Sequence, residues 1–186
     1  MLIEGEAKTG KDWEGKTRQA AETNGVTDKA LRRIRGLFAS GVTVVTTAHA
    51  GRLHGLTVSA FSAVSLDPPL VLVCIGNEAA AQEIITGSGI FAVSILSDEQ
   101  EFLSERFAAR APIVNEKFEG VPYYIATTGA PILEDSIAWY DCHLVATYAS
   151  GDHLIFVGQV AALGLGDEAH QPLLYFANRY AGLKEE

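Results

Sequence analysis

Polar and apolar positions change period several times along this chain, and each change marks a predicted element. From Asp28 onward, Ala30, Leu31, Ile34, Leu37 and Phe38 recur at helical spacing and make one apolar face. Thr27 is a good N-cap, Asp28 suits the positive end of the helix dipole, and Gly41 supplies a stop. The period then shortens. VTVVTT at 42–47 is β-branched throughout and reads as a strand, and HAGR at 49–52 reads as a hairpin turn. Residues 53–66 predict one long strand or a bent pair, interrupted at Gly55 and ended by Asp67, Pro68 and Pro69, since neither proline can donate to a ladder. LVLVCI at 70–75 has the composition of a fully buried strand.

Residues 78–89 predict a short helix with a glycine stop, and IFAVSIL at 90–96 another strand. Ser97 or Asp98 caps a helix over 98–109. Residues 110–135 are irregular and rich in Pro and Gly. Two long strands follow at about 136–149 and 153–163, joined by SGDH, and the chain closes with PLLYFANRY. Many short strands with close turns argue for a mainly β, antiparallel barrel with peripheral helices. Strands do not alternate regularly with long helices, and no GxGxxG follows a strand, so a doubly wound dinucleotide fold is not expected. Residues 1–25 lack hydrophobic periodicity and read as a polar tail before a single domain over 26–186.

Charge sharpens this picture. Residues 1–35 hold eight Lys or Arg against six Asp or Glu, while the rest holds six against seventeen. So acidic a body should repel nucleic acid, and it makes its few cations conspicuous. Beyond Gly36 these are Arg52, Arg106, Arg110, Lys117, Arg179 and Lys184, the candidates for holding any phosphorylated ligand. No run of 18 apolar residues exists, so no membrane span is expected, and the polar N-terminus does not read as a secretory signal. Cys74 and Cys142 lack metal-type spacing and sit in apolar runs, which favours buried free thiols in a cytoplasmic protein.

The segment HGLTVSAFSAVSLDPP, with SGIFAVSIL, DEQEFLSERFA, KFEGV, GAPIL, AWYDC and GDHLIFVGQV following in order, resembles the short-chain flavin reductase family. The resemblance covers about residues 28–182. It implies a homodimeric, Greek-key, FMN-binding split β-barrel that reduces FMN or FAD with NADH or NADPH, and a partner monooxygenase that receives the reduced flavin. Carried over position by position, it implies a flavin surface of His54, Gly55, Leu56, Thr57, Ser59 and Ala60, continued by Cys74, Ile75 and Gly76 on the next strand. Arg106 and Phe107 match the helix end near the phosphate. His153 matches a histidine on the nicotinamide side and is the expected catalytic residue, while Arg179 and Tyr180 match a segment used around the nicotinamide nucleotide. No metal is implied.

The chain departs from the family pattern at Ala79, Ala80 and Ala81, where family members often carry a hydroxyl, and at Ser59, where an amide is more common. Plainer readings stand beside these. Thr57 and Ser59 also fit the solvent face of a half-buried strand, Gly55 a bulge, His54 a solvated turn, His153 a hairpin cap, and Arg106 a cation at a helix C-terminus. Two other functions fit the same resemblance: a flavoprotein that keeps FMN bound and passes electrons elsewhere, and a non-catalytic FMN-binding protein.

Overall fold

A computed structural model describes residues 26–109, 117–166 and 169–183. The predicted tail at 1–25 and the candidate cations Arg110 and Lys184 lie outside the described residues. The chain divides into two units, 1–35 and 36–186. Of the first, the described part is helix α1, Asp28–Arg35, with Thr27 Oγ1 accepting from the Ala30 N–H at 3.2 Å as predicted for an N-cap. The helix stops three residues short of Phe38. Gly36, a poor helix residue, follows Arg35 and ends it before Gly41 can, so Leu37 and Phe38 lie outside the helix and are exposed.

The second unit is built on strands. They are β1 Ser40–Gly41, β2 Thr43–His49, β3 Arg52–Val58, β4 Phe61–Leu66, β5 Pro69–Gly76, β6 Ile90–Ile95, β7 Tyr123–Ile125, β8 Pro131–Leu133, β9 Ala138–Ser150, β10 His153–Leu165, β11 Leu174–Phe176 and β12 Arg179–Ala181. Helices α2, Ala81–Ser88, and α3, Glu101–Phe107, interrupt them. Seven strands form one antiparallel sheet in the order β3-β2-β6-β9-β10-β5-β4, the antiparallel barrel expected from the strand pattern and the split β-barrel implied by the resemblance. The predicted bent pair at 53–66 is β3 and β4, but the break falls at Ser59 and Ala60 and not at Gly55. There the Ala60 carbonyl accepts from the Cys74 N–H at 3.0 Å, so the chain bends where it leaves β2 and joins β5.

Two small pieces were not legible as strands. The β7–β8 hairpin sits in the stretch read as irregular, and β11 and β12 pair with each other and with β1. Each strand is three residues or fewer, too short for a periodic signal.

Adjacent residues of β2 serve opposite cores. Val45 points into the barrel with Val73, Ile75, Phe91 and Phe156. Val44 points outward to a second core with Leu103, Phe107, Leu133 and Leu173. Burying a phenylalanine contributes about 1.5–3 kcal/mol, so Phe107, 1% exposed, fastens α3 onto the outer face of β3. Ser97 begins the turn that leads into α3 and forms a capping box with Gln100, as the sequence suggested. Inside the sheet, buried Asp141 accepts from the Thr127 and Thr128 N–H groups, both at 2.8 Å, and from the Thr128 hydroxyl. A buried carboxylate is thereby hydrogen-bonded instead of bare. No described helix is long and apolar enough to cross a membrane.

Candidate active site

β3 ends the barrel sheet, and its edge is open to ligands. The Gly55 carbonyl accepts from Lys117 Nζ at 3.1 Å, which places the backbone groups of Gly55 on that edge. Backbone direction repeats every second residue of a strand, so Thr57 and Leu53 present theirs to the same side. Two cavities follow this strand, and a third lies at the β5–β10 pair. The first, about 580 Å³, is lined by Arg52, His54, Gly55, Lys117 and Phe118. The second, about 110 Å³, is lined by Thr57, Ser59, Ser104, Tyr175 and Tyr180. The third, about 500 Å³, is lined by Gly76, Asn77, Glu78, Asp152 and His153.

The first cavity is cationic. Lys117 Nζ donates to the Gly55 and Phe107 carbonyls, both at 3.1 Å, tying the sheet edge to the end of α3. Burial lowers the pKa of Lys117. Burial, then Lys117, then Arg52 lower that of His54. Gly55 is buried, and the reason is steric: a Cβ there would stand 2.6 Å from the Phe107 ring. Its missing side chain therefore admits Phe107, whatever its carbonyl meets.

The second cavity is polar and well tied. Thr57 Oγ1 donates to the Ser104 carbonyl at 2.6 Å. The Tyr180 hydroxyl donates to Glu105 Oε1 at 2.6 Å and lies 2.9 Å from Ser104 Oγ. In the third, Gly76 pairs with His153 across β5 and β10. Asp152 Oδ1 lies 2.7 Å from His153 Nδ1. An ionised carboxylate only accepts, so Nδ1 carries the hydrogen that orients the ring. Nε2 faces the Gly76 cavity: a Cβ on Gly76 would lie 3.8 Å from it.

Most expected residues thus line one of these cavities or neighbour one: His54 and Gly55 the first, Thr57 and Ser59 the second, Gly76 and His153 the third, with Ala60 bonded to Cys74. The side chains of Leu56, Ile75 and Phe107 are turned into the cores, which leaves only their backbone to face a ligand. Cys74 is half-buried, and burial raises its thiol pKa, so it stays a neutral thiol. Arg106 and Arg179 line none of these three cavities. Arg106 instead donates to the Glu119 carbonyl at 2.5 Å, and Arg179 is exposed in the β11–β12 hairpin. Ser104, Asp152 and the pairing of Lys117 with Gly55 were not singled out from sequence. Only Asp152, adjacent to His153, had a local signal.

The β3 edge and the three cavities thus offer backbone groups, a cationic lining, a hydroxyl lining and an oriented imidazole. The arrangement fits an elongated, phosphorylated, planar ligand and has no nucleophile–base pair of its own. At 35% identity, the flavin-dependent monooxygenase reductase subunit HsaB of Rhodococcus jostii aligns over 90% of this chain and 84% of its own length. A probable flavin reductase of Rhizobium meliloti is 39% identical over 83% of this chain, which spans only half of that relative. The NADH:FAD oxidoreductase SgcE6 of Streptomyces globisporus, solved with NAD and FAD fragments, superposes with a TM-score of 0.77 at 34% identity, covering 84% of this chain and 92% of that one. A family model described as "Flavin reductase like domain" matches residues 34–184, and the chain belongs to that family.

Proposed function

We propose that this chain is an NADH-dependent flavin reductase that passes hydride to FMN or FAD and releases the reduced flavin to a partner monooxygenase. The observation that carries this reading is the set of three cavities, two along β3 and one at the β5–β10 pair, where Asp152 orients His153. The flavin and the nicotinamide supply the redox chemistry when bound, hydride moving from nicotinamide C4 to flavin N5. The protein's task is to hold the two rings in contact and to offer donors to the charge that develops on the flavin. The open β3 edge would supply such donors, and Thr57, Ser59, Ala60 and Gly76 would hold the ring. His153, oriented by Asp152, is placed to seat the nicotinamide and transfers no proton. Arg179 stays with the nicotinamide side in this reading, while Tyr180, which lines the cavity of Thr57 and Ser59, faces the flavin.

We also propose a homodimer. Val145, Tyr148, Leu163 and Leu165 are 50%, 58%, 63% and 73% exposed on the long β9–β10 hairpin, an apolar surface suited to a second copy. A reducing, cytoplasmic setting suits the two free thiols.

The test is to desalt the purified protein and follow NADH oxidation with and without added FMN or FAD, for the native chain and for His153→Ala, with light scattering on the same samples. The reading expects oxidation that depends on added flavin, and an apparent KM for NADH raised about tenfold in the variant with flavin binding unchanged. Oxidation that proceeds without added flavin supports a tightly bound prosthetic group instead. A yellow protein inert to NADH and NADPH supports a flavin-binding module.

A further inference from the structure

The geometry points to Gln82 as a positioning residue for His153, acting through Asn77 and the turn that carries the histidine. This rests on the reading that His153 seats the nicotinamide. It goes beyond that reading by naming what fixes the imidazole from outside its own hairpin.

The backbone of His153 pairs with Gly76 at the last rung of the β5–β10 ladder. The carboxylate that orients its ring belongs to Asp152, one residue beyond that rung, in the two-residue turn Gly151–Asp152 between β9 and β10. The ring is therefore only as fixed as the turn. The turn is gripped by the residue that follows β5. The Asn77 N–H donates to the Asp152 carbonyl at 2.9 Å, and Asn77 Nδ2 donates to the Gly151 carbonyl at 3.4 Å. One residue thus holds both residues of the turn.

Gln82, on α2, holds Asn77 in turn. Its Nε2 carries two hydrogens. One goes to the Ile75 carbonyl at 2.8 Å and the other to Asn77 Oδ1 at 3.3 Å. Because Asn77 Oδ1 accepts, the Asn77 amide can present only its Nδ2 to Gly151, so Gln82 sets which way that amide points. The bonds at 3.3 and 3.4 Å are long, and their contribution is directional more than energetic. The line Gln82, Asn77, turn, His153 ties α2 and the end of β5 to the hairpin. Gln82 itself lines none of the three cavities, so its effect on a ligand there passes through this line. A plainer task is also open to it. Helix α2 has no side-chain cap bond at Ala80, and the bond to Ile75 anchors the start of the helix.

The experiment separates the two tasks. NADH oxidation at saturating added flavin, and flavin titration without NADH, are measured for the native chain, Gln82→Leu, Gln82→Glu, His153→Ala and the double variant Gln82→Leu/His153→Ala. Gln82→Glu keeps the length of the side chain and removes both donors, so it serves if the leucine variant folds poorly. Each Gln82 variant is expected to raise the apparent KM for NADH about threefold to fivefold, less than His153→Ala, with flavin affinity within about twofold. In the His153→Ala background, Gln82→Leu is expected to add no more than about 1.5-fold, because effects that pass through one group are not additive. A full threefold to fivefold rise in that background would overturn the assignment. So would a loss of flavin affinity that matches the rise in KM, since Gln82 then only anchors α2. If His153→Ala raises the KM while both Gln82 variants leave it unchanged, this inference fails and the nicotinamide reading stands. If His153→Ala itself leaves the KM unchanged, the nicotinamide reading fails and takes this inference with it.

Discussion

Gly55 shows how one residue can carry two constraints at once. Its missing side chain lets the Phe107 ring pack at a distance where a Cβ would stand 2.6 Å from the ring, and its carbonyl takes one of the two bonds that aim Lys117. Phe107 is fully enclosed and cannot swing aside, so Gly55→Ala should cost about 1–3 kcal/mol by overpacking. Chemical denaturation should show this as a lower midpoint. Trimming the ring with Phe107→Leu in the same chain should recover part of the loss. Strict additivity of the two changes would mean that the steric account is wrong. In sequence, Gly55 was readable as a strand break, a bulge or part of a flavin surface. The ring that explains it comes from a helix about fifty positions later, and no local pattern connects them.

At the scale of elements, the second cavity depends on a small C-terminal hairpin docking against α3. Tyr180 on β12 makes the link, reaching both Ser104 and Glu105 through its hydroxyl while its ring packs edge-on against Tyr175, with centroids 5.3 Å apart. Tyr180→Phe keeps the ring and deletes the hydrogen bonds. Glu105 is half-buried, so the cost should be about 1 kcal/mol, below the full value of a bond to a desolvated charge. Thermal unfolding should therefore fall by about 2–4 °C. Flavin affinity should fall as well, because the hydroxyl lines the cavity. Unchanged stability would show that the hairpin is not held through this hydroxyl. The hairpin itself was hidden in the sequence, since three-residue strands have no period to read.

Across the whole molecule, the barrel core sets how the fold responds to alkali. Cys142 is sealed inside it, and burial, with nearby Asp141 adding to it, pushes its thiol from the usual 9.0 up to about 12. In the unfolded chain the thiol ionises near the ordinary value, so between these limits unfolding releases a proton that the native state retains. Stability therefore falls as pH rises above 9, by up to about 1.4 kcal/mol per pH unit from this group, and is untouched by it below. Cys142→Ala should flatten the alkaline limb of a stability–pH curve relative to the native chain. Parallel curves would show that the thiol ionises without unfolding.

The chain's own pattern determined the mainly β barrel, most strand positions, the helix caps at Thr27 and Ser97, and a motif series specific enough to point to flavin chemistry, because these depend on residues close in sequence. It also placed most of the candidate residues along β3 and β5, where the alternation and the Gly and Pro punctuation are strong. Only the tertiary structure decided which of the scarce cations meets the cavity. Lys117 and Arg106 look alike as charges in a sequence; their fates differ because one reaches the open edge of β3 and the other closes a turn behind it. Such choices depend on distance between segments far apart in the chain, and periodicity carries no record of them.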